Sequence, residues 1–200
     1  MTSKKTEVPF AAIPFFFGIQ QLSEGMIWLS FQRDSPISNH VLTLFYSFFS
    51  HVFWPIFIPF AIWMLEPNPP RRKLILYFQV TGLIVGFYLL YSLIKFPILS
   101  KVLGTHIAYE APHFYIVAVM ALYLLSTCVS CMISSSRIVQ IFGVLSFVTF
   151  IAAYFIHAAT FVSVWCFFVA ILSSIVYLFF RQRRVDRRLV KTQGTLSTIP

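Results

Sequence analysis

Charge is scarce in this chain. Only 10% of its 200 residues are Asp, Glu, Lys or Arg, well under half of the ~25% usual in a soluble domain. With 58% hydrophobic residues and 24 phenylalanines, a soluble globular domain is excluded. Cysteine is scarce too: three residues, an odd number, argue against a disulfide framework. Long alternating apolar and polar runs are missing, which excludes a barrel, whose strands alternate over about ten residues. What the chain has is six continuous apolar segments, 8–31, 41–65, 74–94, 112–132, 138–156 and 160–180. Each is close to the ~20 residues that cross a bilayer as a helix, and in lipid only a helix satisfies every backbone group within one segment. The expected fold is all-α, a polytopic transmembrane helical bundle of six spans forming one domain over 1–180, with a basic tail over 181–200. The connections Ile133–Arg137 and His157–Ala159 are short enough to make the helices they join antiparallel neighbours.

Loop charges predict the orientation, because cytoplasmic loops carry the Lys and Arg excess. Lys4, Lys5, Arg71, Arg72, Lys73, Arg137, Arg181, Arg183, Arg184, Arg187, Arg188 and Lys191 fall on one side, and only Arg33, Lys95 and Lys101 on the other. Both termini are expected in the cytoplasm. No cleaved signal peptide is expected, since Val8–Phe31 is too long for an h-region and lacks a small-residue cleavage site near its end. The basic stretch after the last segment reads as a topology determinant touching anionic membrane lipid rather than nucleic acid. Thr192–Pro200 reads as a disordered end.

Projection at 100° per residue then locates the polar groups. Gln20, Gln21, Glu24 and Trp28 share one face of the first segment. An ionisable group at mid-membrane costs roughly 2.5–3.5 kcal/mol even on the mildest scale, so Glu24 marks a bundle interior or a hydrated cavity. His40, Thr43, Ser47, Ser50, His51 and Trp54 form a polar stripe on the second segment. Pro55 and Pro59 follow and should kink that helix, freeing carbonyls that a nearby hydroxyl or water must satisfy. Lys95 ends the third segment, where it either snorkels outward or turns toward Glu24. The loop 96–111 carries Gly104-Thr105-His106 and Glu110, and its length suits a lid. The prediction is an outward-opening polar cavity walled by the first three segments and containing Glu24 and His51, with Lys95, His106, Glu110 and His113 at its mouth. Gly82-Leu-Ile-Val-Gly86, the Cys128/Cys131 pair, and the Thr160, Ser163, Cys166, Ala170 and Ser174 face read as helix-packing surfaces of small residues.

Three chemistries fit this set. Binding or transport of a small polar solute, cation or proton leads, with Glu24 carrying the charge, His51 receiving it and Gln20 and Gln21 orienting it. In a metal-dependent membrane enzyme, Glu24, His51, His106 and His113, with His157 in reserve, would ligate zinc or another transition metal, although no HExxH or His-x-x-x-His spacing is present. In a structural subunit, which could form a homo-oligomer, the polar groups only lock helices together. No catalytic residue is singled out: Ser47 and His51 at i, i+4 read as a local hydrogen bond without a third orienting group. No resident cofactor is expected under the leading reading, and nucleic acid is not an expected partner.

Phe17-Gly-Ile-Gln-Gln-Leu-Ser-Glu-Gly-Met-Ile-Trp28, Ala121-Leu-Tyr-Leu-Leu-Ser-Thr-Cys128 and Thr160-Phe-Val-Ser-Val-Trp-Cys166 together resemble a family of small bacterial multi-span membrane proteins known only as a domain of unknown function. The resemblance implies a bacterial plasma-membrane location and puts Gln20, Gln21, Glu24 and Trp28 in the family's pattern without giving them a role. It also implies an additional first span opened by Met-Cys-Phe-Ser, which this sequence does not contain; with it, the bundle would have seven.

Overall fold

The computed structural model describes residues 4–111, 114 and 116–196; for Lys4, Phe179 and residues 182–196 it describes the helical backbone alone. The chain is overwhelmingly helical, as its apolar runs require. In order come α1 (Lys4–Ala11), α2 (Ile13–Gln32), α3 (Pro36–Ser47), a π-helical turn (Phe48–Phe53), α4 (Trp54–Leu65), α5 (Pro69–Lys95), strands β1 (Leu99–Leu103) and β2 (His106–Glu110), α6 (Val117–Leu124), a second π-helical turn (Leu125–Val129), α7 (Ser130–Ile133), α8 (Arg137–Ile156) and α9 (Phe161–Leu196). Pro14 sits in the first turn of α2 and Pro9 inside α1, and the first apolar segment breaks at Ala12 between them. The helix of the last segment continues to Leu196, through the first half of what the sequence reads as a disordered end.

Among the described residues, four continuous helical stretches are long and apolar enough to cross a membrane: Pro36–Leu65, Pro69–Lys95, Arg137–Ile156 and Phe161–Leu178. Val117–Ile133 is a shorter apolar stretch. Their outward faces are not those of a water-soluble protein. Ile94, Val117 and Phe155 are each about four-fifths exposed, while Ser47, Ser126, Ser130 and Gln20 are fully buried. Apolar side chains face out and hydroxyls face in.

The π-turn and the two prolines of the second segment answer one another. Within the turn the Trp54 N–H donates to the Phe49 carbonyl, five residues back; the next donor in that register, for the Ser50 carbonyl, would be residue 55. Residue 55 is proline, which has no N–H. The Tyr123 hydroxyl supplies the missing bond, donating to the Ser50 carbonyl at 2.7 Å. Pro59 likewise leaves the Pro55 carbonyl without its i+4 donor, and that oxygen lies against Gly82, where any Cβ would overlap it. At Gly86 a Cβ would come within 2.7 Å of the Ile56 side chain. The glycine pair is thus the seam along which α5 packs on α4. Gly143 of α8 does the same against the Cys131 side chain and the Cys128 carbonyl, and all three cysteines are buried and free.

At the end carrying the basic loops, the Glu66 carboxylate closes the bundle. It accepts from Ser135 N at 2.7 Å, Ser134 Oγ at 3.1 Å, Asn68 N at 3.1 Å and Ser135 Oγ. Arg71 Nη1 donates to the Ser134 carbonyl at 3.1 Å, and Gln140 Nε2 to the same oxygen at 2.8 Å. Arg72 lies 4.3 Å over the Trp63 ring. These bonds tie the α4–α5 corner to the α7–α8 corner.

Candidate functional site

At the opposite end, residues 99–110 form an antiparallel hairpin with Leu103 paired to His106 across Gly104-Thr105. Gly104 adopts φ +61°, and Asp34 is the one non-glycine residue described with positive φ, so the two-residue turn has Gly at the position where a tight hairpin demands it. The middle of β2 is buried throughout, at Ile107, Ala108 and Tyr109. The hairpin is tethered by a run of polar bonds: Thr43 Oγ1 donates to Ser100 Oγ at 2.8 Å, Ser100 to Asn39 Oδ1 at 2.9 Å, and Asn39 Nδ2 to Ser30 Oγ at 3.0 Å. On the outside, Lys101 and Glu110 pair at 2.6 Å.

The hairpin places Tyr109 over Glu24. The Tyr109 ring stacks on Tyr46, centroids 4.4 Å apart and planes 9° off parallel, and its hydroxyl donates to Glu24 Oε1 at 3.2 Å. Burial, and then the neighbouring carboxylate, hold this phenol well above the usual tyrosine range, so it remains a donor. Ser163 of α9 is the second hydrogen-bonding neighbour of Glu24. Glu24 is 7% exposed, and among the described residues it has no ion-pair partner.

Glu24 lines a cavity of about 520 Å³. Gln21, Ser163, His106 and His157 supply its other polar groups, and Trp28, Phe167 and Phe168 much of its apolar wall. The two imidazoles meet edge to face, centroids 4.9 Å apart. The Gln21 Nε2 is buried without a hydrogen-bond partner. The volume lies in the range of small-molecule sites, ~300–1,000 Å³, and far exceeds what a desolvated ion fills.

The walls correct the sequence expectation. They come from α2, α8, α9 and the hairpin tip, so that of the first three segments only the first contributes. Periodicity finds the polar face of a helix but not the helix opposite it, and here the first segment packs against the last. Of the predicted residues, Gln21, Glu24, Trp28 and His106 gather at the cavity. Gln20 turns inward instead, accepting from Trp54 Nε1 at 2.6 Å. His51 lines a separate space of about 20 Å³ together with Glu110, room for roughly one water. Its Nδ1 lies 2.8 Å from Ser50 Oγ and 3.2 Å from the Ser47 carbonyl, so the local i, i+4 contact runs to the Ser47 backbone and not to its hydroxyl. Lys95 is exposed at the end of α5 and takes no part in the cavity wall. His113 lies outside the described residues.

Of the residues read as zinc ligands, Glu24, His106 and His157 line one cavity and His51 another, and His113 lies outside the described residues. Among the described residues no group of three or more His, Cys, Asp or Glu could hold a metal ion, and His51 lines a different space from Glu24 and His106. Two residues beside Glu24 carry a role the sequence did not suggest. Tyr109 was legible in principle, because five-residue runs flank a two-residue Gly-Thr turn. Ser163 was read as part of a packing face, and nothing in its spacing separates the two roles.

Fold and site together define a helical protein with four long apolar helices and a cavity floored by a buried carboxylate. The model of a family of unknown function, DUF6629, matches residues 1–191. The chain belongs to that family. No curated protein and no solved structure matches it.

Proposed function

We propose that this chain is a six-span protein of a bacterial plasma membrane, both termini cytoplasmic, that binds or transports a small polar solute or cation at Glu24. The Lys and Arg distribution supports the orientation, which puts the hairpin end outside. Inserted this way, the outward apolar faces of α4, α5, α8 and α9 meet lipid, and α2 is covered on its polar side by α9 and the hairpin. One observation carries the functional reading: a carboxylate buried to 7% exposure has no cation among the described residues and lines a cavity of about 520 Å³. A carboxylate kept only to join helices would be saturated by donors; this one faces open volume.

The test is flux in proteoliposomes loaded with a pH dye, measured with butylammonium and with a proton gradient alone. Saturable flux, or saturable binding of butylammonium, is expected for the native chain and lost in Glu24→Gln. Equal flux and binding in a folded Glu24→Gln variant would refute the role of the carboxylate.

A further inference from the structure

We propose that the occupant of the Glu24 cavity is an amphiphile: a molecule with an ammonium group beside a hydrogen-bond acceptor, joined to an apolar body that enters sideways from the membrane. This rests on the proposed binding role of Glu24 and specifies the ligand's class.

The first support is the shape of the site. The cavity has polar groups at both depths, His106 and His157 at the hairpin end and Glu24 and Gln21 further in, and a hydrocarbon wall of Ile156, Phe167 and Phe168 along one side. His106 and His157 stand at the hairpin end, level with the last turn of α8, while Phe167 lies six residues into α9, about 9 Å deeper. Glu24 sits eight residues before the end of α2, about 12 Å from it. Along the side away from the hairpin tip the rim is apolar and faces outward: Ile156 is 72% exposed and Phe167 52%, and both line the cavity. Gly25 and Ala152, exposed and without bulk, leave the side between α2 and α8 open. In the membrane that side faces acyl chains, so the mouth admits a molecule already dissolved in lipid.

The second support is charge and hydrogen-bond complementarity. Glu24 offers a carboxylate without a counterion among the described residues, which an ammonium group supplies. Gln21 Nε2 offers a buried donor without an acceptor, which an oxygen near the ammonium supplies. Trp28 lines the same space, and an indole face attracts an organic cation. A bare metal ion or a proton would answer the carboxylate alone and leave both the amide and most of the volume unused.

Native mass spectrometry of the purified full chain tests this with three probes: dodecylamine, dodecanol of equal chain length without the charge, and butylamine with the charge and little chain. Burying four further methylenes is worth about a hundredfold in affinity. Micelles withdraw free dodecylamine, so an observed preference of about tenfold or more over butylamine is a lower limit. The expected result is a one-to-one dodecylamine adduct, no dodecanol adduct, and loss of the adduct in both Glu24→Gln and Gly25→Phe. The second variant guards against misfolding, since a Cβ on Gly25 meets nothing within 4 Å and the ring can fill the cavity without displacing protein. Equal binding of butylamine and dodecylamine would overturn the amphiphile while leaving a polar-cation site. An adduct that survives Glu24→Gln, or no adduct with any probe, would overturn both. Survival in Gly25→Phe alone would place the ligand elsewhere and overturn the proposal.

Discussion

Replacing Glu66 with Gln should cost about 2–4 kcal/mol at neutral pH, and the cost should vanish in acid. The Glu66 carboxylate receives four donors, two of them backbone N–H groups, from Asn68 and Ser135. Gln presents one acceptor oxygen in place of two and aims its own NH₂ at donors that need an acceptor. At least one of those N–H groups is then left without a partner, at roughly 1–3 kcal/mol, and the remaining bonds lose their charge assistance. Burial by itself raises the Glu66 pKa, but the bonds from Ser135, Asn68 and Ser134 outweigh it, and the carboxyl sits below the ordinary glutamate range. A depressed folded-state pKa gives stability that is complete above the unfolded value, about 4.3, and fades as pH falls through the folded one. The measurement is chemical unfolding in detergent of the native chain and Glu66→Gln, from pH 7 down to pH 3. The gap should be widest near neutrality and shrink below about pH 4. Equal stability at pH 7, or a gap unchanged across the range, would refute the clamp.

Other contacts give sharper single-site predictions. Tyr123→Phe orphans the Ser50 carbonyl in the π-turn and should lower stability by about 1–3 kcal/mol, read from the same unfolding curves; no change would mean that carbonyl has another partner. Gly82→Leu forces side-chain atoms into the Pro55 carbonyl and should prevent folding, whereas Gly18→Leu, with nothing within 4 Å of its Cβ, should not. Ser100→Ala cuts the bonds between β1 and both Thr43 and Asn39, so hydrogen exchange should quicken in 99–110 and leave α5 unchanged. Tyr109→Phe removes the hydroxyl donor to Glu24 while keeping the ring on Tyr46; dodecylamine retention should change in that variant while its melting midpoint stays near that of the native chain.

Helices were legible because long continuous apolar runs favour a structure that bonds its backbone within one segment, and among the described residues helix covers most of each of the six apolar segments, four of them within helices long enough to cross a membrane. The buried polar faces were legible in large part: Thr43, Ser47, Ser50, His51 and Trp54 are buried as their shared stripe predicts, while His40 at its outer end is exposed. Two things were not. A projection at a constant angle carries no information about the π-turn at Phe48–Phe53, which alters the phase of the helix at His51 itself. Nor does any periodicity within Val8–Phe31 say that its partner will be Phe161–Leu196, more than a hundred residues away, so Glu24 was assigned to the right kind of place with the wrong walls.

Two of the buried glutamates among the described residues, Glu66 and Glu24, argue by contrast for where function lies. An ionised carboxylate has about four acceptor positions. Glu66 has four donors for them, contributed by two corners that it holds together. Glu24 has Tyr109 and Ser163, and its remaining capacity borders a cavity beside a second polar group, the Gln21 amide, that also lacks a partner. A fold able to saturate one carboxylate so fully is not short of hydroxyls: Ser146 and Ser47 are buried with unpartnered oxygens of their own. Leaving Glu24 under-bonded next to open volume costs stability, and a group that destabilises the empty protein is one that a ligand can stabilise by filling. The same logic makes a counter-prediction. If Glu24 were a helix lock like Glu66, Glu24→Gln would destabilise the empty protein by a similar amount; if it is a binding group, the neutral amide should leave the empty protein as stable as the native chain or more so, and remove only the stabilisation that dodecylamine confers.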